Sequence, residues 1–123
     1  MRVTTIKNHW ILPFEMVISG KGGHGAMAND AIDPIVASAA VILETTRAAA
    51  EYEAALYFFK IDAGTKFNII PEEVQCYGSL LAETQQTLEY CMEAICLIAE
   101  TTAAAFRCKF STELHLAVKE GNS

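Results

Sequence analysis

A chain of 123 residues is the size of one compact domain with one core, which leaves no room for a large enzyme. Apolar residues make up 52% of it and charged residues 20%, so there is ample side chain to bury and a disordered tail is excluded. With 9 Lys and Arg against 15 Asp and Glu the formal net charge is −6, and a surface of that sign repels phosphate backbones and anionic headgroups. Neither nucleic acid nor a membrane is an expected partner.

The longest apolar stretch, Ile35 to Leu43, is interrupted by Ser38 and too short to span a bilayer, and the N-terminal residues lack a signal-peptide pattern. The chain is expected to be soluble. Its four cysteines, at 76, 91, 96 and 108, include no Cys-x-x-Cys pair for zinc or thiol exchange. Cys91 and Cys96 lie five apart on an expected helix, which turns them about 140° from each other. Reduced, buried thiols in a cytosolic protein are therefore the expectation.

Trp10 to Ser19 alternates as a strand, with Phe14, Met16 and Ile18 on one face; Pro13 suggests the beginning of that strand or an edge position. A glycine-rich loop, Gly20-Lys-Gly-Gly-His-Gly25, follows it. Asp33-Pro34 suits an N-cap and first helical position, so a helix is expected to about Ala50 with an inward stripe of Ile35, Ala39, Ile42 and Thr46. Leu56 to Asp62 reads as a strand. A loop through Gly64 and Pro71 leads to a second alternating run, Val74, Cys76, Gly78 and Leu80, too close for an intervening helix, so the two strands are expected to be antiparallel neighbours. Thr84 caps a long helix to about Arg107, with Leu88, Cys91, Met92, Ile95, Ala99, Thr102 and Phe106 inward. Phe110, Thr112, Leu114 and Leu116 alternate in a final strand.

The order βαββαβ predicts an α+β, ferredoxin-like two-layer sandwich: one four-stranded antiparallel sheet with two helices on one face, a single domain over 1–123 with its core at about 10–117. The uncovered face, or an edge strand, would present aromatic and aliphatic side chains, which suggests a partner.

Gly20-x-Gly22-x-x-Gly25 matches the dinucleotide-binding string, but the helix opens eight residues too late, no acid ends a second parallel strand, and the next two strands are antiparallel. A phosphate loop lacks its Lys-Ser/Thr. An RNA-recognition sheet lacks its paired aromatics on the third strand and its basic setting. His9 and His115 read as solvated surface residues. His24 is flanked by glycines that let the backbone pass close to a ligand, and its imidazole can donate to developing negative charge. Spacing alone favours the plainer reading, a loop histidine without a role. No Asp/His/Glu cluster accompanies it in sequence, so neither a metal site nor a Ser/His/Asp triad is expected within the chain. In the second loop Asn68 is either a left-handed turn residue bonding its own backbone or an amide offering a donor and an acceptor to a substrate, and spacing does not separate the two.

Together, Ser19-Gly-Lys-Gly-Gly-His-Gly-Ala-Met27 with Ala31-Ile-Asp-Pro-Ile35, and Ala63-Gly-Thr-Lys-Phe-Asn-Ile-Ile-Pro-Glu72 leading to Gly78, resemble the dimerisation (lid) domain of the aminoacylase, hippurate hydrolase and carboxypeptidase G type of metal-dependent amidohydrolases. The resemblance runs from about Trp10 to Leu116. It implies a homodimer, a separate catalytic domain carrying zinc or manganese, and an N-acyl amino acid or related amide as substrate. It further implies that His24 reaches the partner subunit's active site to steady an oxyanion, and that Asn68, with Gly64 and Gly23, contacts substrate. Two positions depart from the family pattern: Ala28 stands where proline is usual, and Leu81 where arginine is frequent. The chain alone is expected to hydrolyse nothing and to hold no cofactor, whether excised or naturally separate from a catalytic domain. The alternatives are a free-standing interaction or ligand-sensing module and a degenerate, non-catalytic homologue.

Overall fold

The computed structural model describes residues 9–24 and 31–120. Strand β1 (His9–Ser19) and the two-residue β2 (Gly23–His24) precede helix α1 (Pro34–Glu51). Then follow β3 (Ala55–Ala63), β4 (Ile69–Ile70), β5 (Glu73–Ala82), α2 (Gln85–Ala105), β6 (Lys109–Leu114) and β7 (Val118–Glu120). The main sheet runs β3-β5-β1-β6, with β7 also on β1, and every pairing is antiparallel. This is the expected sandwich, with an additional β2–β4 pair outside the main sheet.

Period-two alternation on β1 and β5 sends Leu12, Phe14, Met16 and Ile18, and Val74, Cys76 and Leu80, beneath the helices. Phe14 meets Phe58 edge-on at 5.5 Å between ring centroids. Both helix starts are as expected: the Asp33 carboxylate accepts from the Ile35 amide at 2.8 Å, and Thr84 Oγ1 accepts from the Thr87 amide at 3.0 Å. Both helices stop with a non-glycine residue in the left-handed region two residues on, Glu53 at φ 59° and Arg107 at φ 62°. That turn ends α2 at Ala105, short of Arg107, and leaves Phe106 on the exposed side.

The buried stripe of α1 is Pro34, Ala37, Ser38, Val41, Thr45 and Ala49 rather than Ile35, Ala39, Ile42 and Thr46. The helix is apolar on nearly every side, so periodicity leaves its rotation open and small residues win the tight contact with the sheet. Ile35, Val36 and Leu43 consequently face outward. On α2 the inward set is as expected through Ala99, after which Ala103 replaces Thr102 and Phe106.

Pro13 is neither at the beginning nor at an edge: it sits within the central strand, opposite Ser79 of β5. Its carbonyl accepts from the His115 amide at 3.0 Å, so its missing N–H points at the β6–β7 side. There two β1 residues, Leu12 and Pro13, lie opposite three, 115–117, and the expected single last strand is broken into β6 and β7 by this bulge.

All four cysteines are free thiols. Burial pushes Cys76 and Cys91 up to about 11, and also raises Cys96 and Cys108, the former helped by Glu100 and the latter by Asp33. An acid whose folded pKa exceeds its unfolded value of 9.0 keeps its proton in the native state while the unfolded chain loses it, so stability falls as pH rises. Urea titrations of the folded chain should therefore show a loss on the order of 2 kcal/mol per buried thiol between pH 9 and pH 11. A flat profile across that window would contradict the burial of these sulfurs.

Candidate functional site

The two motif loops leave the sheet at the same end, where β1 finishes at Ser19 opposite Glu73 at the start of β5. Three backbone contacts tie them together. The Gly20 amide donates to the Glu72 carbonyl at 2.8 Å, and Gly23 and His24 pair in register with Ile70 and Ile69. The first loop is closed at its own base by reciprocal bonds between Lys21 and Ile32, at 2.8 and 2.9 Å. His24 thus lies across from the residue that follows Asn68 in the chain. Its imidazole, and the segment 25–30 that carries Gly25 and Ala28, lie outside the described residues.

These contacts explain Gly20 and Gly22 without a nucleotide. A Cβ on Gly20 would run into the Ile32 carbonyl, and one on Gly22 would stand 2.6 Å from the Ile70 carbonyl oxygen. At Gly20 the first loop closes on itself, and at Gly22 its backbone passes over the second loop's.

In the second loop the left-handed residue is Gly64, at φ 69°, and not Asn68. Asn68 is exposed and its carboxamide forms no hydrogen bond with another described residue, so the turn-locking reading fails. Its donor and acceptor are left for something else. Beside it Phe67 is wholly exposed, at 104% of its reference area. As an aromatic in a loop, Phe67 carries no periodic signal in the sequence. Gly64 and Asn68 share a shallow cleft of about 330 Å³ with Ile35 and Pro71. A neighbouring cleft of about 420 Å³ is lined by Asp62, Thr65, Lys66, Glu73 and Gln75. The rim therefore offers amide, hydroxyl and ammonium donors with a few carboxylates.

Leu81 is not near this rim. It is buried on the face away from the helices, eight residues along β5 from Glu73, which is about 26 Å at strand rise. There it joins Ile11, Tyr57, Phe59 and Ser79 around an apolar groove. The departure at Leu81 alters that uncovered face and not this copy's loops. A second cluster that sequence reading missed, Glu15 with Glu113 and His115, stands on the same face at mid-sheet. Glu15 is nearly a hundred residues from the other two in the chain, and only the β1–β6 register brings it to them.

A family model described as the peptidase dimerisation domain matches residues 8–107. The chain belongs to the peptidase dimerisation domain family. Similar curated proteins include an N-acetylcysteine deacetylase of Bacillus subtilis, 30% identical over 98 residues that make up 76% of this chain and 26% of that protein. An IAA-amino acid hydrolase of Arabidopsis thaliana is 32% identical over 106 residues, 82% of this chain and 24% of that protein. Among solved structures, a hydantoinase/carbamoylase family amidase from Burkholderia ambifaria superposes with a TM-score of 0.85 at 16% identity, over 92% of this chain and 29% of that one. A Bacillus subtilis protein described as a dinuclear metal-binding peptidase of the M20 family superposes at 0.70 and 22% identity, over 90% and 27%. This dimerisation domain thus spans about a quarter of the length of the curated relatives it matches.

The loop pairing gives the dimerisation domain a specific sensitivity. Gly22→Ala should push the loops apart at the Ile70 carbonyl, speeding amide exchange at His24 and Ile70 by about tenfold or more while core amides such as Met16 stay protected. Equal protection in the variant would mean that the two loops are not held by this contact.

Proposed function

We propose that this chain is the homodimerising lid of a metal-dependent amidohydrolase acting on N-acyl amino acids or related amides, with His24 and Asn68 serving the active site. The observation that carries this reading is the backbone pairing of His24 with Ile69, which joins both motif loops at one end of the sheet. An imidazole donor aimed at an oxygen whose negative charge develops only in the tetrahedral transition state lowers that barrier selectively. A carboxamide beside it can both donate to and accept from an amide substrate and so fix its orientation. Gly23 and Gly64 keep the backbone low around that position.

Among the described residues no three metal-ligating side chains converge at the rim: Asp62 and Glu73 stand there beside Thr65, Lys66 and Gln75 without a third ligand. The metal is assigned to a separate catalytic domain of the parent enzyme, since this chain spans only about a quarter of the curated relatives it matches. The free thiols fit a reducing, cytosolic location.

Assembly is assigned to the outer edge of β3. Ile61, half exposed on that edge, adjoins the outward Ile35 and Leu43 and the partly buried Ile42 of α1 around an apolar groove of about 390 Å³. The opposite edge carries Lys109, Glu113, Lys119 and Glu120, charges that discourage strand addition. A two-fold axis beside β3 would extend the sheet from one copy to the next and bury α1 against its twin.

Two measurements test this reading. In the full-length hydrolase, His24→Ala should lower kcat by roughly 10² to 10³ with little change in KM, and unchanged turnover would remove its catalytic role. In the isolated chain, Ile61→Glu should convert a dimer to a monomer by light scattering without loss of helical circular dichroism. A dimer that survives the substitution would move the interface elsewhere.

A further inference from the structure

We propose that Glu15, Glu113 and His115 form a surface binding site for one first-row divalent cation of the zinc class, independent of the lid's role in hydrolysis. Glu15 on β1 and Glu113 on β6 are direct register partners, and His115 follows two residues on, so all three side chains project from the face of the sheet away from the helices. One donor atom from each lies within 4.8 Å of the others. Ligands around one tetrahedral zinc ion, each about 2.0–2.2 Å from it, stand about 3.3–3.6 Å apart, so side-chain rotations that draw the donors together close the set.

Charge supplies the independent argument. Two carboxylates directly across a β ladder repel each other. Among the described residues no lysine or arginine forms an ion pair with either: Lys60 is engaged with Asp62 at 3.5 Å and lies over the Tyr77 ring, and the ion-pair contact on Glu15 is His115 Nε2 at 3.3 Å. A divalent ion neutralises both glutamates and uses the imidazole as a nitrogen donor, which a hard ion such as magnesium does not favour. The scaffold is also held on both sides of the site. Thr112 Oγ1 donates to the Glu15 carbonyl at 2.7 Å, and the His115 amide donates to the Pro13 carbonyl at 3.0 Å. Three protein ligands leave a fourth position facing solvent, since the His115 side chain is 50% exposed and that of Glu15 34%.

Isothermal titration of the reduced chain with zinc chloride tests the assignment. One site per chain is expected, weakened about tenfold or more in both Glu113→Gln and His115→Ala and unchanged in Cys96→Ser, the half-buried thiol that could compete. Zinc should also raise the thermal midpoint of the unsubstituted chain and leave that of His115→Ala unmoved. Magnesium should bind at least about tenfold more weakly than zinc. The assignment is overturned by an absence of zinc binding, by affinity that survives both substitutions, by loss of the site in Cys96→Ser, or by equal affinity for magnesium. Circular dichroism of each variant separates a lost ligand from a lost fold.

Discussion

The arrangement depends on a contact of very small size: two residues of one loop, Gly23 and His24, hydrogen-bonded in register to two of another, Ile70 and Ile69. The ferredoxin-like sheet alone brings the loops to one end, because β1 finishes where β5 begins. It does not make them touch. Gly22 permits that, by letting the first loop's backbone cross the second's at the Ile70 carbonyl, while Gly20 lets the first loop close on its own Ile32 carbonyl; a side chain at either would collide. The same closeness that mimics a phosphate-binding string in the sequence is thus spent on protein rather than on a ligand.

The sheet beneath is asymmetric in a way that sorts its surfaces. One face disappears under two helices rich in small residues, so Phe14, Met16, Ile18 and Leu80 can be fully enclosed. The other divides along its length. Near the chain ends Ile11, Tyr57, Phe59 and Leu81 make an apolar patch, while mid-sheet carries Glu15, Tyr77, Glu113 and His115. Pro13 marks the division. Its missing donor breaks the last strand into two, and the freed residues 115–117 bring His115 to the carboxylates.

Most of this fold was legible because its strands are half-buried and its helix starts are chemical. Alternation at Phe14-x-Met16-x-Ile18 and Val74-x-Cys76 survives in the structure, as do the caps Asp33 and Thr84. What failed did so for physical causes. The rotation of α1 could not be read from a helix apolar on all sides, and its true inner stripe is the one with the smaller residues. Pro13 looked like an edge residue because the rule assumes that the strand its N–H would face needs that donor, whereas here a bulge on the β6–β7 side removes the demand. In the candidate site, the importance of the two loops came from their resemblance to a known pattern, not from spacing, and their backbone contact is visible only in the structure. Phe67 and the Glu15–Glu113–His115 cluster were invisible, the first for want of periodicity and the second because it exists only through strand register.

The second loop and the apolar edge are consecutive in the chain, and this bears on how the proposed pairing would reach the loops. β3 ends at Ala63, and Gly64 turns the chain directly into the Asn68 loop. Any partner that docks on Ile61 therefore lies against the base of that loop, and the cleft lined by Ala63, Gly64 and Lys66 opens beside the same groove. Because the first loop is bonded to the second through Gly20, Gly23 and His24, a force on the β3 edge reaches both. Assembly and placement of the imidazole would then be one mechanical event, since moving either loop without the other breaks the hydrogen bonds that pair them.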